Sequence, residues 1–466
     1  MTEASLFAPA WAGTDVAETT SETQLIQALL DVEAAWGHVL AEHRLASQAS
    51  AEALAGIARS PEQVSSLNPQ RLAAAAAGGG NPVIPLVAAL RTELASRGAD
   101  DSALHQGATS QDIMDTAMML MVRRSAERAL PDLDQAASAL AETADAHRST
   151  LCTAHSLAQH ALPTVFGMKA AVWLDGITSA SSSLRAAQAG LSLQWGGAVG
   201  TQAALTEIAG AGRAAQMTLR LGETLGLAVP ALPWQVQRQS VLEIGSALAG
   251  VAAALGKAAG DVLTLQRPEV GELREPAAPG KGGSSAMPQK QNPSLSVLIR
   301  SAALSAPGHL STLYQAAAAA NDERPDGAWH AEWPAVRELL RLAGGAAARA
   351  AALFQGLEAD AGRMTANLTA AGASLLSERL MLSLARQLPG GREQMQNLLR
   401  ASLSEGVDLR AALLEELQES PSADADVQQL VESVDLALDP SGYLGRADDF
   451  IDAALAAHSR GGGDPA

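Results

Sequence analysis

Gly282-Gly283-Ser284-Ser285-Ala286-Met287-Pro288-Gln289-Lys290-Gln291-Asn292-Pro293 interrupts two stretches of helical periodicity, approximately 239–268 and 293–318. A break of this length inside a compact body tends to be functional or disordered, and its chemistry favours function. Gly282 and Gly283 give hinge freedom, two serines supply hydroxyls, and Lys290 and Asn292 stand where a new helix start faces an anion. The stretch therefore reads as a lid. A plain linker would share the Gly and Ser content but has no need of Met-Pro-x-Lys-x-Asn-Pro.

Outward from this loop the chain is helical in pattern. Periodic stretches run approximately through 20–46, 111–150, 165–190, 201–225, 239–268, 293–318 and 333–356, the spacing of a bundle of long helices. Leu133, Ala136, Ala137, Leu140 and Ala144 share one helical face, with Pro131 as the opening residue. Strand signals are nearly absent. Punctuation divides the chain into an N-terminal helical domain (1–104), a central long-helix bundle carrying the loop (105–355) and a C-terminal helical domain (356–466).

Composition agrees with that reading and narrows the function. Of 466 residues 47% are apolar but only 3% aromatic, so Ala, Leu and Val must build the core through close small-residue contacts. The formal charge of −18 argues against nucleic acid and anionic membrane as partners, and an anionic substrate would need a locally positive pocket. Cys152 is a single cysteine and residues 1–10 lack a basic region followed by a long apolar run, so the reducing cytoplasm is expected. Charge, Gly and Pro break the apolar runs, and no membrane span is expected. No dinucleotide, phosphate-loop or metal-ligand motif is present, so no cofactor is expected.

Two further constellations carry polar chemistry. His105-Gln106-Gly107-Ala108-Thr109-Ser110-Gln111-Asp112 starts a helix, with Thr109 and Asp112 spaced like a capping box. As a plain cap it would need nothing more, but His105, two hydroxyls and the free N–H groups also suit a carboxylate. The second is His155-Ser156-Leu157-Ala158-Gln159-His160-Ala161-Leu162-Pro163, a short polar patch with two imidazoles. Trp329 and Trp333 stand at i and i+4, a spacing that a core face would also give, whereas His330 and Glu332 are harder to dismiss as packing.

The opening loop closely resembles the signature Gly-Ser-Ser-x-Met-Pro-x-Lys-x-Asn-Pro of the fumarase/aspartase superfamily. The 105–116 segment resembles the first motif of adenylosuccinate lyases and carboxymuconate cycloisomerases. Gln159-His160-Ala161-Leu162-Pro163, Leu193-Gln194-Trp195-Gly196-Gly197-Ala198-Val199-Gly200-Thr201, Glu269-Val270-Gly271-Glu272, Gly327-Ala328-Trp329-His330-Ala331-Glu332-Trp333 and 439–445 are similar to the bacterial cycloisomerases in particular. The resemblance covers about 22–455.

It implies an all-α fold and the reversible lactonisation of 3-carboxy-cis,cis-muconate in aromatic catabolism, through an aci-carboxylate. It makes Ser284 the acid/base, with His160 and His105 as alternatives, and it implies that Glu332 supports a histidine. Thr109, Ser110, Gln159, Ser285, Lys290, Asn292 and Arg324 would bind a small polycarboxylate, with Lys281 adding charge. It also implies a homotetramer whose sites are shared between chains.

Departures concentrate near the site. Leu157 stands where the wider superfamily has a catalytic histidine, Ala154-His155-Ser156 replaces Gly-Arg-Thr, Gln235-Val236 replaces His-Thr, and Gln289 and Gln291 replace His and Arg. Two other functions therefore stay open, an adenylosuccinate-type elimination releasing fumarate and a non-catalytic structural or regulatory paralogue.

Overall fold

In a computed structural model of the chain the described residues are 6–277, 282–284, 286–287, 289–419 and 427–461. Long helices dominate them, at Glu22–Glu42, Ser110–Ala146, Phe166–Ala189, Gln239–Leu265, Ser294–Ala318 and Ala328–Gln355. Each matches a stretch whose Ala and Leu recur at helical spacing, and the expected all-α class holds. One stretch divides: Gly210 (φ +79°) breaks 201–225 into helices Ala203–Ala209 and Ala211–Leu225.

Three local expectations need correction. Pro131 does not open a helix but lies inside Ser110–Ala146, although Leu133, Ala136, Ala137, Leu140 and Ala144 are buried as their spacing required. A hairpin also appears where strands were not expected. Leu151–Ser156 pairs antiparallel with Gln159–Val165, placing His155 opposite His160 and Ser156 opposite Gln159. Its two-residue turn holds Leu157 and Ala158 at φ +50° and +63°, the left-handed pair that such turns demand and that Asn-Gly usually supplies.

The third concerns apolar length. Gln239–Leu265 is long and apolar enough by composition to cross a membrane, with a mean hydropathy of 1.4 over its most apolar window. Its buried residues Val241, Ile244, Leu248, Val251, Leu255, Ala258 and Val262 recur at three- and four-residue spacing, with Lys257 and Asp261 breaking the run. That is the pattern of a core helix.

Contacts group the chain into two compact units. The first comprises Met1–Asp134, Ser179–Lys257 and Val297–Ala350; the second comprises Gln135–Thr178, Ala258–Ser296 and Ala351–Ala466. In the first, small residues set the packing distance, as the sparse aromatics implied. A Cβ on Gly256 would lie 2.3 Å from that of Ala303, so these helix backbones meet where only glycine fits. The second unit has its own apolar cluster, including Leu380, Leu384, Met395, Leu413 and Val434.

Candidate active site

The first unit holds His105, Thr109, Ser110, Arg324 and Glu332 around the start of the Ser110–Ala146 helix. The capping box is half realised. The Asp112 carboxylate accepts the Thr109 backbone N–H at 3.0 Å, while the Thr109 hydroxyl instead accepts from Arg324 Nη1 at 3.2 Å. The Arg324 guanidinium also lies 5.2 Å from the Trp329 ring centre. A hydroxyl and a guanidinium thus meet at a helix N-terminus, an arrangement suited to a carboxylate.

Asp112 does more than cap. Fully buried, it also accepts N–H bonds from Gly196 (2.8 Å), Gly197 (2.9 Å) and the Gln194 side chain (3.2 Å), tying the helix start to the Leu193–Thr201 motif. Burial pushes its carboxyl up to about 6, against the pull of these donors.

One turn further, Asp115 and Glu332 share Arg238, and all three are buried. Arg238 reaches Asp115 Oδ2 at 2.7 Å and Glu332 Oε2 at 2.6 Å, and Trp329 Nε1 adds a bond to Asp115 at 2.8 Å. Burial raises the Glu332 carboxyl while Arg238 opposes the rise. The partner of Glu332 is therefore an arginine and not the expected histidine. Arg238, three residues after Gln235, is the buried cation of this cluster. At this helix start the carboxylate that supports a histidine is Glu33, bonded to His105 Nδ1 at 2.7 Å. Glu33 was not among the residues singled out from sequence; its only signal was one acid on the otherwise apolar stripe of Glu22–Glu42.

The second unit holds Gln159, His160, Ser284, Lys290 and Asn292. Gln159 and His160 are exposed at the end of the hairpin, and the rings of His155 and His160 meet edge to face with centres 5.1 Å apart. Burial, then the neighbouring charges of Lys169 and His160, hold the His155 imidazole below its ordinary range. Buried Cys152, pushed up to about 11 by its surroundings, is unsuited to act as a nucleophile.

In the signature loop, Asn292 N–H donates to the Gly282 carbonyl at 2.7 Å and its side chain to the Gly283 carbonyl at 3.3 Å, so the two ends of the loop are clasped. Gly282 adopts φ +70°, and a Cβ there would lie 2.7 Å from the Asn292 carbonyl oxygen. Glu275 secures the same neck by accepting the N–H groups of Leu295 (3.0 Å) and Ser296 (2.8 Å), a carboxylate cap on the Ser294–Ala318 helix. Ser284 Oγ accepts N–H bonds from Ala286 (3.4 Å) and Met287 (3.1 Å). Lys290 is exposed, and Ser285 and Lys281 lie outside the described residues.

Comparison with known proteins places these features in a family. A family model described as "Lyase" matches residues 18–308. A nitrosuccinate lyase of Streptomyces davaonensis is 41% identical over 98% of this chain and 96% of its own. A 3-carboxy-cis,cis-muconate cycloisomerase of Pseudomonas aeruginosa is also 41% identical, over 85% of each chain. The crystal structure of a 3-carboxy-cis,cis-muconate lactonizing enzyme from Pseudomonas putida superposes with a TM-score of 0.85 at 34% identity, covering 98% of this chain and 100% of that one.

Proposed function

The chain belongs to the lyase family of the fumarase/aspartase superfamily, and within it we propose that it is a cycloisomerase interconverting 3-carboxy-cis,cis-muconate and its lactone. The observation that carries the chemistry is the setting of Ser284. A serine hydroxyl is a weak base, but two backbone N–H groups aimed at its oxygen favour the alkoxide. In the lactonising direction a substrate carboxylate oxygen attacks an alkene carbon, and the displaced π electrons pass into a second carboxylate. Ser284 then delivers its proton to the carbon beside that carboxylate, and the aci-carboxylate collapses. Thr109, Ser110, Arg324, Lys290, Asn292 and Gln159 hold the carboxylates, His160 is the alternative proton carrier, and the enzyme works as a homotetramer with shared sites. The substrate assignment is supported by cycloisomerase relatives at up to 41% identity and by the lactonizing-enzyme structure.

A second reading, β-elimination from nitrosuccinate, is favoured by one observation besides the near full-length match. Gln235 is 2% exposed and donates to the Gly197 carbonyl at 2.9 Å, so the usual histidine is replaced by a neutral group already bonded within the fold. Such a site suits a dicarboxylate better than a tricarboxylate.

The test is to incubate purified protein separately with 3-carboxy-cis,cis-muconate, nitrosuccinate and adenylosuccinate, following ultraviolet absorbance and released nitrite. Loss of the diene absorbance with the first alone supports the cycloisomerase. Nitrite and fumarate from the second, or fumarate from the third, would replace that reading by an elimination. Inertness toward all three would favour the non-catalytic paralogue.

A further inference from the structure

The Glu33 carboxylate has no part in the chemistry described so far, yet both its oxygens are committed to one residue. Oε1 lies 2.7 Å from His105 Nδ1, and Oε2 accepts the His105 backbone N–H at 3.2 Å. Glu33 is fully buried, whereas the His105 side chain keeps 18% of its exposure. Nδ1 therefore faces inward and leaves Nε2 on the opposite edge of the ring, four residues before the Thr109 hydroxyl that Arg324 engages.

The backbone is bent to make this contact. His105 sits at φ +58°, a conformation that costs a non-glycine residue energy and that brings its own N–H and its ring to the same carboxylate. The helix beneath grips the segment at three points on one face. Beside Glu33, Trp36 donates its Nε1–H to the Gln106 carbonyl at 2.8 Å. Gly37 lets Ala103 approach so closely that a Cβ would lie 2.9 Å from its carbonyl oxygen. An apolar side chain at position 33 would fill the buried stripe without the cost of burying a carboxylate. The acid is thus explained by what it does to the imidazole.

The geometry points to Glu33 as a positioning residue, which holds His105 by Nδ1 and its backbone N–H so that an Nε2–H is presented to a substrate carboxylate. As that carboxylate takes on the extra charge of the aci form, a fixed cationic donor gains strength and lowers the barrier. The charges facing His105 are Glu33, Asp112 on the helix it precedes and Arg91 on the Val83–Ser96 helix. Burial and Arg91 oppose the imidazolium while Glu33 and Asp112 favour it, and the net effect holds His105 above the ordinary histidine range. The role assigned to the substrate carboxylate rests on the lyase reading above. The pairing itself does not.

Two measurements separate these dependencies. The first is ¹⁵N NMR of the full-length protein labelled at histidine, with His105 assigned through His105→Asn. The neutral imidazole is expected to carry its proton on Nδ1, and its titration is expected to move to lower pH in Glu33→Gln. The second is kcat and KM against pH with 3-carboxy-cis,cis-muconate. Glu33→Gln is expected to lower kcat roughly 10- to 100-fold above the ordinary histidine range, as loss of a supporting carboxylate typically does, with KM little changed and activity recovering toward lower pH. Glu33→Asp, which keeps the charge, should retain the wild-type alkaline limb. A neutral His105 protonated on Nε2, or a Glu33→Gln enzyme with unaltered titration and pH profile, overturns the inference. Should none of the substrates turn over, the lyase reading fails while the NMR arm still decides the fate of the Glu33–His105 pair. Should Glu33→Gln not fold, the wild-type tautomer and Glu33→Asp decide it.

Discussion

The wall built on Asp112, Asp115 and Arg238 and the loop clasped by Gly282 and Asn292 hold candidate site residues in opposite ways. In the wall the polar groups are buried and each is bonded to several others, so Trp329 and the start of the 110–146 helix are fixed by charge. Among the described residues of the loop the backbone is held by the clasp at its neck and by one internal bond, from Lys290 N–H to the Met287 carbonyl at 3.0 Å, while Lys290 is exposed and the Ser284 hydroxyl accepts two N–H groups of its own turn. The difference teaches what substitutions should report. Changes in the wall read out as stability, because an uncompensated charge remains inside; changes in the loop read out as activity, because little packing is lost.

Arg238→Ala is the strongest attempt to break the comparison. It strands Asp115 and Glu332 without their cation, and breaking a buried pair in this way costs about 3–5 kcal/mol. Thermal and urea unfolding should show a loss of that order. A cost below about 1 kcal/mol, the scale of surface pairs, would mean that the wall is not held by charge.

Ser284→Ala tests the loop. Removing one half-buried hydroxyl should change stability by no more than about 0.5 kcal/mol, while loss of the proton carrier should lower kcat by roughly 10²–10⁴-fold with KM little changed. Lys290→Ala should instead raise KM as well, since a carboxylate partner acts in ground and transition states alike. A Ser284→Ala enzyme with near-normal kcat would move proton transfer to His160 or His105.

These contrasts follow closely what the sequence did and did not reveal. The long helices were legible because Ala and Leu repeat at 3.6-residue spacing over many turns, and the loop was legible because its residue types are unusual together. The 151–165 hairpin was hidden because Leu157 and Ala158 occupy positions where turn chemistry leads one to expect Asn or Gly. Glu33 was hidden for another reason: its partner lies 72 residues away, and no local spacing reports such a pair. Asp112 was read as a cap, but its bonds to Gly196 and Gly197 depend on tertiary packing. The Arg238 partner of Glu332 was masked by the expectation of a histidine.

Glu275→Ala sharpens the comparison at the neck of the loop. The carboxylate caps a helix start, so its loss should cost about 1 kcal/mol, typical of a removed cap and well below the cost at Arg238. Glu275→Gln, which keeps one acceptor, should recover part of this. If Glu275→Ala matched Arg238→Ala in unfolding, the neck would be as firmly held as the wall and the contrast would disappear.

The smallest effect concerns the pH dependence of the wall. His105 is held above its ordinary value, so its cation adds stability that is fully present below about pH 6.5 and is lost as pH rises through the folded value. Asp112 also has a raised value, about 6 against an ordinary 3.8, and the folded state therefore binds its proton more tightly. Its contribution falls as pH rises from about 3.8 to about 6 and is constant above that. Glu332 moves in the same direction. All three groups make the wall more stable at mildly acidic than at alkaline pH, and in the histidine range and above it the slope from His105 can be isolated by His105→Gln. Melting temperatures of both proteins from about pH 5 to about pH 9 should show the advantage of wild type shrinking as His105 loses its proton. If the difference stays constant across that range, His105 is not held as a cation, and the charge that fixes the wall is that of Arg238 and its carboxylates.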